Sequence, residues 1–192
     1  MVAPQEDTEH NLWGFGSVHV LVHSHAGLAH RLNRKETAKV KIISGGQTGA
    51  DRGALDAAIS LGIPHGGWCP RGRKAEDGVI PDRYSLIETA CVHYQVRTEK
   101  NVAFADATII FTRGPMTPGS LLASSVASTL NKPWAHFDIA GYTILELATV
   151  TGIVHEWLNL HKHDVLNIAG SRESRAPGIR SDVFEIMREV LR

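Results

Sequence analysis

From residue 40 onward the apolar positions fall in blocks whose spacing switches between the strand and helix periods. Residues 40–44 predict a strand. Residues 52–61 predict a helix with Ala54, Leu55, Ala58, Ile59 and Leu61 on one side, stopped by Gly62 with Pro64 beyond it. Residues 63–68 read as a short strand or extended piece, 69–83 as a long polar loop rich in Gly, Pro and charge, and 85–89 as another short strand. A helix over 94–105 carries Val96, Lys100 and Phe104 at four-residue intervals, with Val102 and Ala103 on its apolar side. Residues 107–112 are continuously apolar, the pattern of a strand buried on both faces. After a turn at 114–118, Thr117 is the expected N-cap of a helix with Pro118 at its first position. Its inner face is Leu121, Leu122, Ser125, Val126, Thr129 and Leu130. A strand over 133–139, a helix over 142–160 with Gly152 as a candidate break, a strand over 165–169 and a helix over 181–191 complete the pattern. Strand and helix alternate throughout, which predicts one α/β domain with a mostly parallel sheet and helices on both faces.

The densest chemistry follows the first strand: Ser44-Gly45-Gly46-Gln47-Thr48-Gly49-Ala50-Asp51. Its glycines let the backbone turn sharply and approach a neighbour without Cβ atoms in the way. Strand, glycine turn and helix N-terminus predict several free N–H groups and a positive dipole end, suited to a phosphate or another oxyanion. The segment matches neither the G-x-G-x-x-G dinucleotide fingerprint nor the Gly-Lys-Ser/Thr ending of a P-loop. Loops leaving the carboxyl ends of parallel strands share one edge, where ligands sit at the reversal of strand order. Two more such loops carry anion-site chemistry. In 114–120, Gly119 and Ser120 are the second and third helical residues, whose N–H groups the helix leaves unsatisfied. In 167–174, a strand end is followed by hydroxyls and Arg172.

The loop 65–78 is too long and too chemically dense for a simple connector. Trp68 is a candidate to stack on a planar ring, with a core cap as the alternative, and Arg71, Arg73 and Lys74 are candidates to meet negative oxygens. Asp51, near the helix start, is a dipole partner by default and otherwise a group for a ribose hydroxyl or a magnesium ion. Arg97 either pairs with Glu99, is solvated, or reaches the ligand edge. The candidate ligand residues are therefore Gly45, Gly46, Gln47, Thr48, Gly49, Asp51, Arg52, Trp68, Arg97, Gly119 and Ser120. No residue is assigned a catalytic or metal-binding role.

Composition changes this picture little. Hydrophobic residues make up 43% of the 192 and charged ones 21%, and twenty basic residues cancel twenty acidic ones. A neutral chain has no overall electrostatic footprint for nucleic acid or an anionic membrane, and no stretch approaches the ~18 apolar residues of a membrane helix. Cys69 and Cys91 have neither metal-site nor redox-motif spacing, which fits free thiols in a reducing cytoplasm. Residues 1–38 differ: they hold five of the eleven histidines, His10, His19, His23, His25 and His30. That spacing matches no zinc pattern, and the segment reads as a poorly ordered extension or a strand laid against the domain edge.

From Val40 to the C-terminus the chain resembles the family named "putative molybdenum carrier", a circularly permuted YpsA-like branch of the SLOG superfamily. The matching motifs are Ile43-Ser44-Gly45-Gly46-Gln47-Thr48-Gly49-Ala50-Asp51-Arg52, Gly62-Ile63-Pro64-His65-Gly66-Gly67-Trp68-Cys69-Pro70, Ala75-Glu76-Asp77-Gly78, Arg97-Thr98 with Asn101-Val102, and Leu166-Asn167-Ile168-Ala169-Gly170. The resemblance implies a single Rossmann-like doubly wound domain over 39–192. It also implies a nucleotide-like, phosphate-bearing ligand such as molybdenum cofactor, whose pterin carries a phosphate. The related LOG-type phosphoribohydrolases need a Glu in a Pro-Gly-Gly-x-Gly-Thr-x-x-Glu loop for N-glycosidic cleavage. Here Pro118-Gly119-Ser120 resembles the Gly-Thr turn, but Ala123 stands where the Glu would be, and a methyl group transfers no proton. The resemblance thus implies a binding protein or carrier. A nucleotide-processing enzyme using Asp51, Glu76 or Asp77, and a nucleotide sensor or homo-oligomer, are the alternatives.

Overall fold

Six residues of one strand carry the most severe packing constraint in the chain. In Ala107–Thr112 every side chain is buried, with Ile109 and Phe111 in one hydrophobic core and Ile110 in another. Successive strand residues point to opposite faces, so a strand covered on both sides has to be apolar throughout. A computed structural model of the chain, describing residues 20–23, 40–161 and 163–192, shows what covers it.

The strands of the main sheet, in chain order, are β1 (Val20–His23), β2 (Lys41–Ile43), β3 (His65–Gly66), β8 (Ala107–Thr112), β9 (Trp134–Asp138) and β10 (Val165–Gly170). Between β3 and β8 the chain forms β4 (Trp68–Cys69), β5 (Lys74–Ala75), β6 (Gly78–Val79) and β7 (Ile87–Glu88). The helices are α1 (Ala50–Ser60), α2 (Tyr94–Phe104), α3 (Pro118–Thr129), α4 (Ile144–Leu160) and α5 (Ile179–Val190). The sheet order is β1-β9-β8-β10-β2-β3, parallel from β9 to β3, with β1 antiparallel to β9. Helices α1, α4 and α5 pack together on one face, and α2 and α3 on the other. This is a Rossmann-like doubly wound fold.

From β2 the chain winds outward to β3, and from β8 outward to β9. It then returns to insert β10 into the gap between β8 and β2. Strand order therefore reverses around β10. Residues 44–49, 113–117 and 171–178, which follow β2, β8 and β10, all leave the same edge.

Several local expectations hold. Thr117 caps α3 by accepting the Ser120 amide, with Pro118 at the first helical position. Other elements differ. Residues 63–68 split between β3 in the main sheet and β4, which pairs with β7 in a separate ribbon. The polar loop contains a β5–β6 hairpin. Helix α4 runs through Gly152 without a break, although glycine costs ~1 kcal/mol there. A capping box fixes its start: Thr143 N donates to Glu146 Oε2 at 2.7 Å and Glu146 N to Thr143 Oγ1 at 3.4 Å. Val150, Val154 and Trp157 then bury one face. Four residues of the N-terminal extension form β1, with Val20 opposite Phe137 and His23 opposite Trp134. His10, His19, His25 and His30 lie outside the described residues. No helix among the described residues is long and apolar enough to cross a membrane.

The C-terminus of α2 is closed from a distance. Lys132 Nζ donates to the carbonyls of Ala103 at 2.5 Å and Ala105 at 2.6 Å, and more loosely to Val102 at 3.4 Å. A cation there satisfies carbonyls the helix leaves open and complements its dipole. Lys132→Met is expected to cost about 1–2 kcal/mol in denaturant unfolding; a loss below about 0.3 kcal/mol would show those contacts to be idle.

Candidate functional site

The glycine loop joins β2 to α1 at the reversal point, and the sheet itself anchors it. Ser44 Oγ donates to the Ile168 carbonyl of β10 at 2.6 Å, and Ala50 N donates to the Ser171 carbonyl at 3.1 Å. Gly49, the residue before α1, has φ +79°, and a Cβ there would fall 2.3 Å from the Ser171 oxygen and 2.7 Å from Glu173 N. Only glycine lets the β10–α5 loop rest directly on the start of α1. At Gly45 the close neighbour is a side chain: a Cβ would lie 1.8 Å from Arg97 Nη1. Gly46 faces Ile80 and Leu86.

Several of the loop's N–H groups already have partners, which corrects the expectation that they stand free. Gln47 N donates to Asp51 Oδ2 at 3.2 Å, Thr48 N to Gln47 Oε1 at 3.0 Å, and Ala50 N to Ser171. The anion this loop holds is the chain's own Asp51 carboxylate, 3% exposed, paired with Arg97 Nη1 at 3.1 Å. Burial pushes the Asp51 carboxyl up. The Arg97 charge, the Gln47 amide and the Ser44 hydroxyl pull it down without cancelling that push. Tyr94 and Arg97, three apart, open α2 on one face. The place of Arg97 on the helix that feeds β8 is the sequence signal by which its reach to the edge is legible.

The hairpin β5–β6 lies over this loop. Arg52, 4% exposed, makes a bidentate pair with Asp77 at 2.6 and 2.8 Å and donates from Nε to the Gly46 carbonyl at 3.1 Å. Gln47 Oε1 also accepts the Glu76 amide at 2.9 Å. Arg73 stitches the rest of the long loop together, donating to the carbonyls of Ile80, Pro81 and Tyr84 at 2.9–3.0 Å. Trp68 packs edge-on against Phe104 with ring centroids 5.0 Å apart, and its backbone is clamped at both ends by the Asn101 carboxamide. Arg52, Arg73 and Trp68 are thus occupied by the protein itself. Gly119 is exposed at the start of α3, and Ser120, 2% exposed, is buried beneath it.

A second network joins the hairpin to the β10–α5 loop. The Glu76 carboxylate accepts from Thr48 Oγ1, from Ser174 N at 3.2 Å and from Ser174 Oγ at 2.5 Å. Thr48 Oγ1 in turn accepts Glu173 N at 3.3 Å. Arg172 stacks over the Tyr94 ring, 5.1 Å from its centroid. Two buried donors at this edge have no acceptor among the described residues, Gln47 Nε2 and Arg97 Nε. Ala123 is fully buried in the core with Val102 and Ile110. Among the described residues no group of three His, Cys, Asp or Glu side chains is arranged to hold a metal ion. The assembled chemistry is amide N–H, hydroxyl and guanidinium donors, which suits oxyanions.

Two carboxylates here are held below their usual range. For Asp77 the Arg52 hydrogen bonds are the main cause; for Glu76 burial pushes up, but the donors from Ser174 and Thr48 together outweigh it. A depressed native pKa adds stability above the unfolded values near ~3.9 and ~4.3, lost as pH falls through the native ones. Asp51, raised, acts with the opposite sign: its contribution is lost as pH rises. Replacing both residues, Glu76→Gln with Asp77→Asn, should therefore flatten the acid limb of stability below about pH 5 relative to the wild type. An unchanged slope in urea melts across that range would contradict the assignment.

A model of the circularly permutated YpsA SLOG family matches residues 42–191. The crystal structure of a protein named "putative molybdenum carrier protein", from Syntrophus aciditrophicus SB, is similar over 81% of this chain and 96% of its own. The two are 41% identical, with a TM-score of 0.75. No curated protein matches. A last strand placed at the centre of the sheet, the converging loops and the family match agree, and the chain belongs to the circularly permuted YpsA family of the SLOG superfamily.

Proposed function

We propose that the protein is a carrier for a phosphate-bearing, nucleotide-like ligand, with molybdenum cofactor as the leading candidate, held where the β2, β8 and β10 loops meet. The observation that carries this reading is the insertion of β10 between β8 and β2. That order puts the segments following β2, β8 and β10 at one edge of the sheet, which supports a shared seat. Helix α3 begins there with exposed Gly119 and no acidic residue in its first turn, so its positive end is uncompensated. The name of the S. aciditrophicus protein supports a molybdenum-related ligand.

The donor set fits the phosphate end of such a cofactor: the α3 N-terminus, the Ser174 hydroxyl, Arg172, and Gln47 with its orphaned Nε2. Retention by the organic and phosphate parts is what these residues support. A carrier reading is favoured over N-glycosidic hydrolysis by the state of the carboxylates. Asp51 is paired with Arg97, Asp77 with Arg52, and Glu76 is bonded to Thr48 and Ser174. Each carboxylate that the hydrolysis reading would use is thus engaged by the chain itself.

Equilibrium titration with molybdopterin and a panel of nucleotides tests the reading: saturable binding of at least one is expected, and no binding by any would remove it. Gly119→Asp is the matching variant. The site has room for a Cβ, and a carboxylate suits an early helix position, so stability should hold or rise. Ligand affinity should nonetheless fall by about tenfold or more through like-charge repulsion; an unchanged affinity would place the ligand elsewhere.

A further inference from the structure

The arginines of this edge are mostly neutralised: Arg52 by Asp77, Arg97 by Asp51 and Arg113 by Asp182. Arg172 is different. It is exposed, forms no ion pair with a described residue, and presents its guanidinium from a stacked position over Tyr94. Glu76 is its counterpart among the carboxylates. It sits exposed at the tip of the β5–β6 hairpin with no ion-pair partner among the described residues, yet three donors converge on it. One is the Thr48 hydroxyl from the glycine loop; the others are the Ser174 amide and hydroxyl from the β10–α5 loop.

Donors from two loops at the ends of two parallel strands, with an unpaired guanidinium close by, make an oxyanion seat. The group now in that seat is a side chain from a third segment, presented by a turn open to solvent. A second observation also points to a ligand. Gln47, 4% exposed, accepts the Glu76 amide through Oε1 while its buried Nε2 has no acceptor. A buried amide N–H without a partner is costly, and an arriving oxygen would relieve it.

We propose that Thr48 Oγ1, the Ser174 amide and hydroxyl, and Arg172 form the seat for a tetrahedral oxyanion, and that the Glu76 carboxylate is its resident competitor. The inference rests on the reading that this edge takes a phosphate-bearing ligand, and adds how the site is kept closed without one. A tethered carboxylate competes at a high effective concentration, so it lowers the apparent affinity for free anions. A ligand wins by bringing further contacts, and its phosphate then frees the hairpin tip. Free phosphate and a phosphate monoester share this chemistry.

Calorimetric titration of the full chain with inorganic phosphate, and separately with a phosphate monoester, tests the proposal. In Glu76→Ala both anions should bind about tenfold tighter than in the wild type, and adding Arg172→Met should abolish the gain. Glu76→Gln keeps the side-chain volume and removes the charge; it serves if the alanine variant fails to fold, and should gain about fivefold. Phosphate affinity within about twofold of wild type in the folded Glu76 variants would overturn the proposal. So would a gain that survives Arg172→Met. Tighter phosphate without molybdopterin or nucleotide binding would sink only the carrier reading. Cofactor binding that depends on Gly119, with phosphate indifferent to Glu76, would sink only this one.

Discussion

The strand nearest the C-terminus is the middle one of the five parallel strands, and the site depends on that fact. Until β10 lies between β8 and β2, the two halves of the parallel sheet share no hydrogen-bonded edge. Once it does, Ser44 reaches Ile168, Ala50 reaches the Ser171 carbonyl, and Ser171 N reaches the Phe111 carbonyl. These bonds join segments more than fifty residues apart, so their loop-closure entropy is met only when β10 docks. The same insertion sets where strand order reverses and which loops face one another. Glycine at 49 is the local requirement for that meeting, because the β10–α5 backbone occupies the space a side chain would need.

Around this meeting point most of the charged groups are engaged by the chain itself. Asp51 and Arg97 are buried as a pair, Arg52 grips Asp77, and the carboxylate of Glu76 bridges the hairpin to Ser174. Such a network stabilises little for each pair, given the cost of desolvation, but it fixes the geometry of three loops at once. It also means that the resting edge is not an open cradle of amides. Its anionic positions are filled by the protein's own carboxylates, one deeply buried and one at the surface. An external oxyanion can displace the surface carboxylate into solvent, whereas displacing Asp51 from Arg97 would leave that carboxylate buried without its partner.

Much of the fold was legible in the sequence because it arises from local pattern. The continuous apolar run at 107–112, the Thr117-Pro118 start of α3 and the Gly62 stop after α1 each carry their own physical signal. The β5–β6 hairpin and the separate pairing of β4 with β7 were not legible, since they follow from long-range stitching: Arg73 donating to three carbonyls, Asn101 clamping Trp68, and Arg52 gripping Asp77. The glycines at 45 and 49 were legible as places of close approach. What approaches them was not, because Arg97 and Ser171 arrive from segments far along the chain. Gly152 misled for the opposite reason: a capping box and a buried stripe outweigh its propensity in α4.

The central claim is that three loops act as one seat. Titrating the isotope-labelled full chain with molybdopterin, which is larger than the phosphate seat alone, and following the backbone amides of Thr48, Gly119 and Ser174 by NMR, tests it directly. The account predicts that all three shift together along one saturation curve with a common dissociation constant. Shifts confined to a single loop, or three curves with unrelated constants, would contradict it.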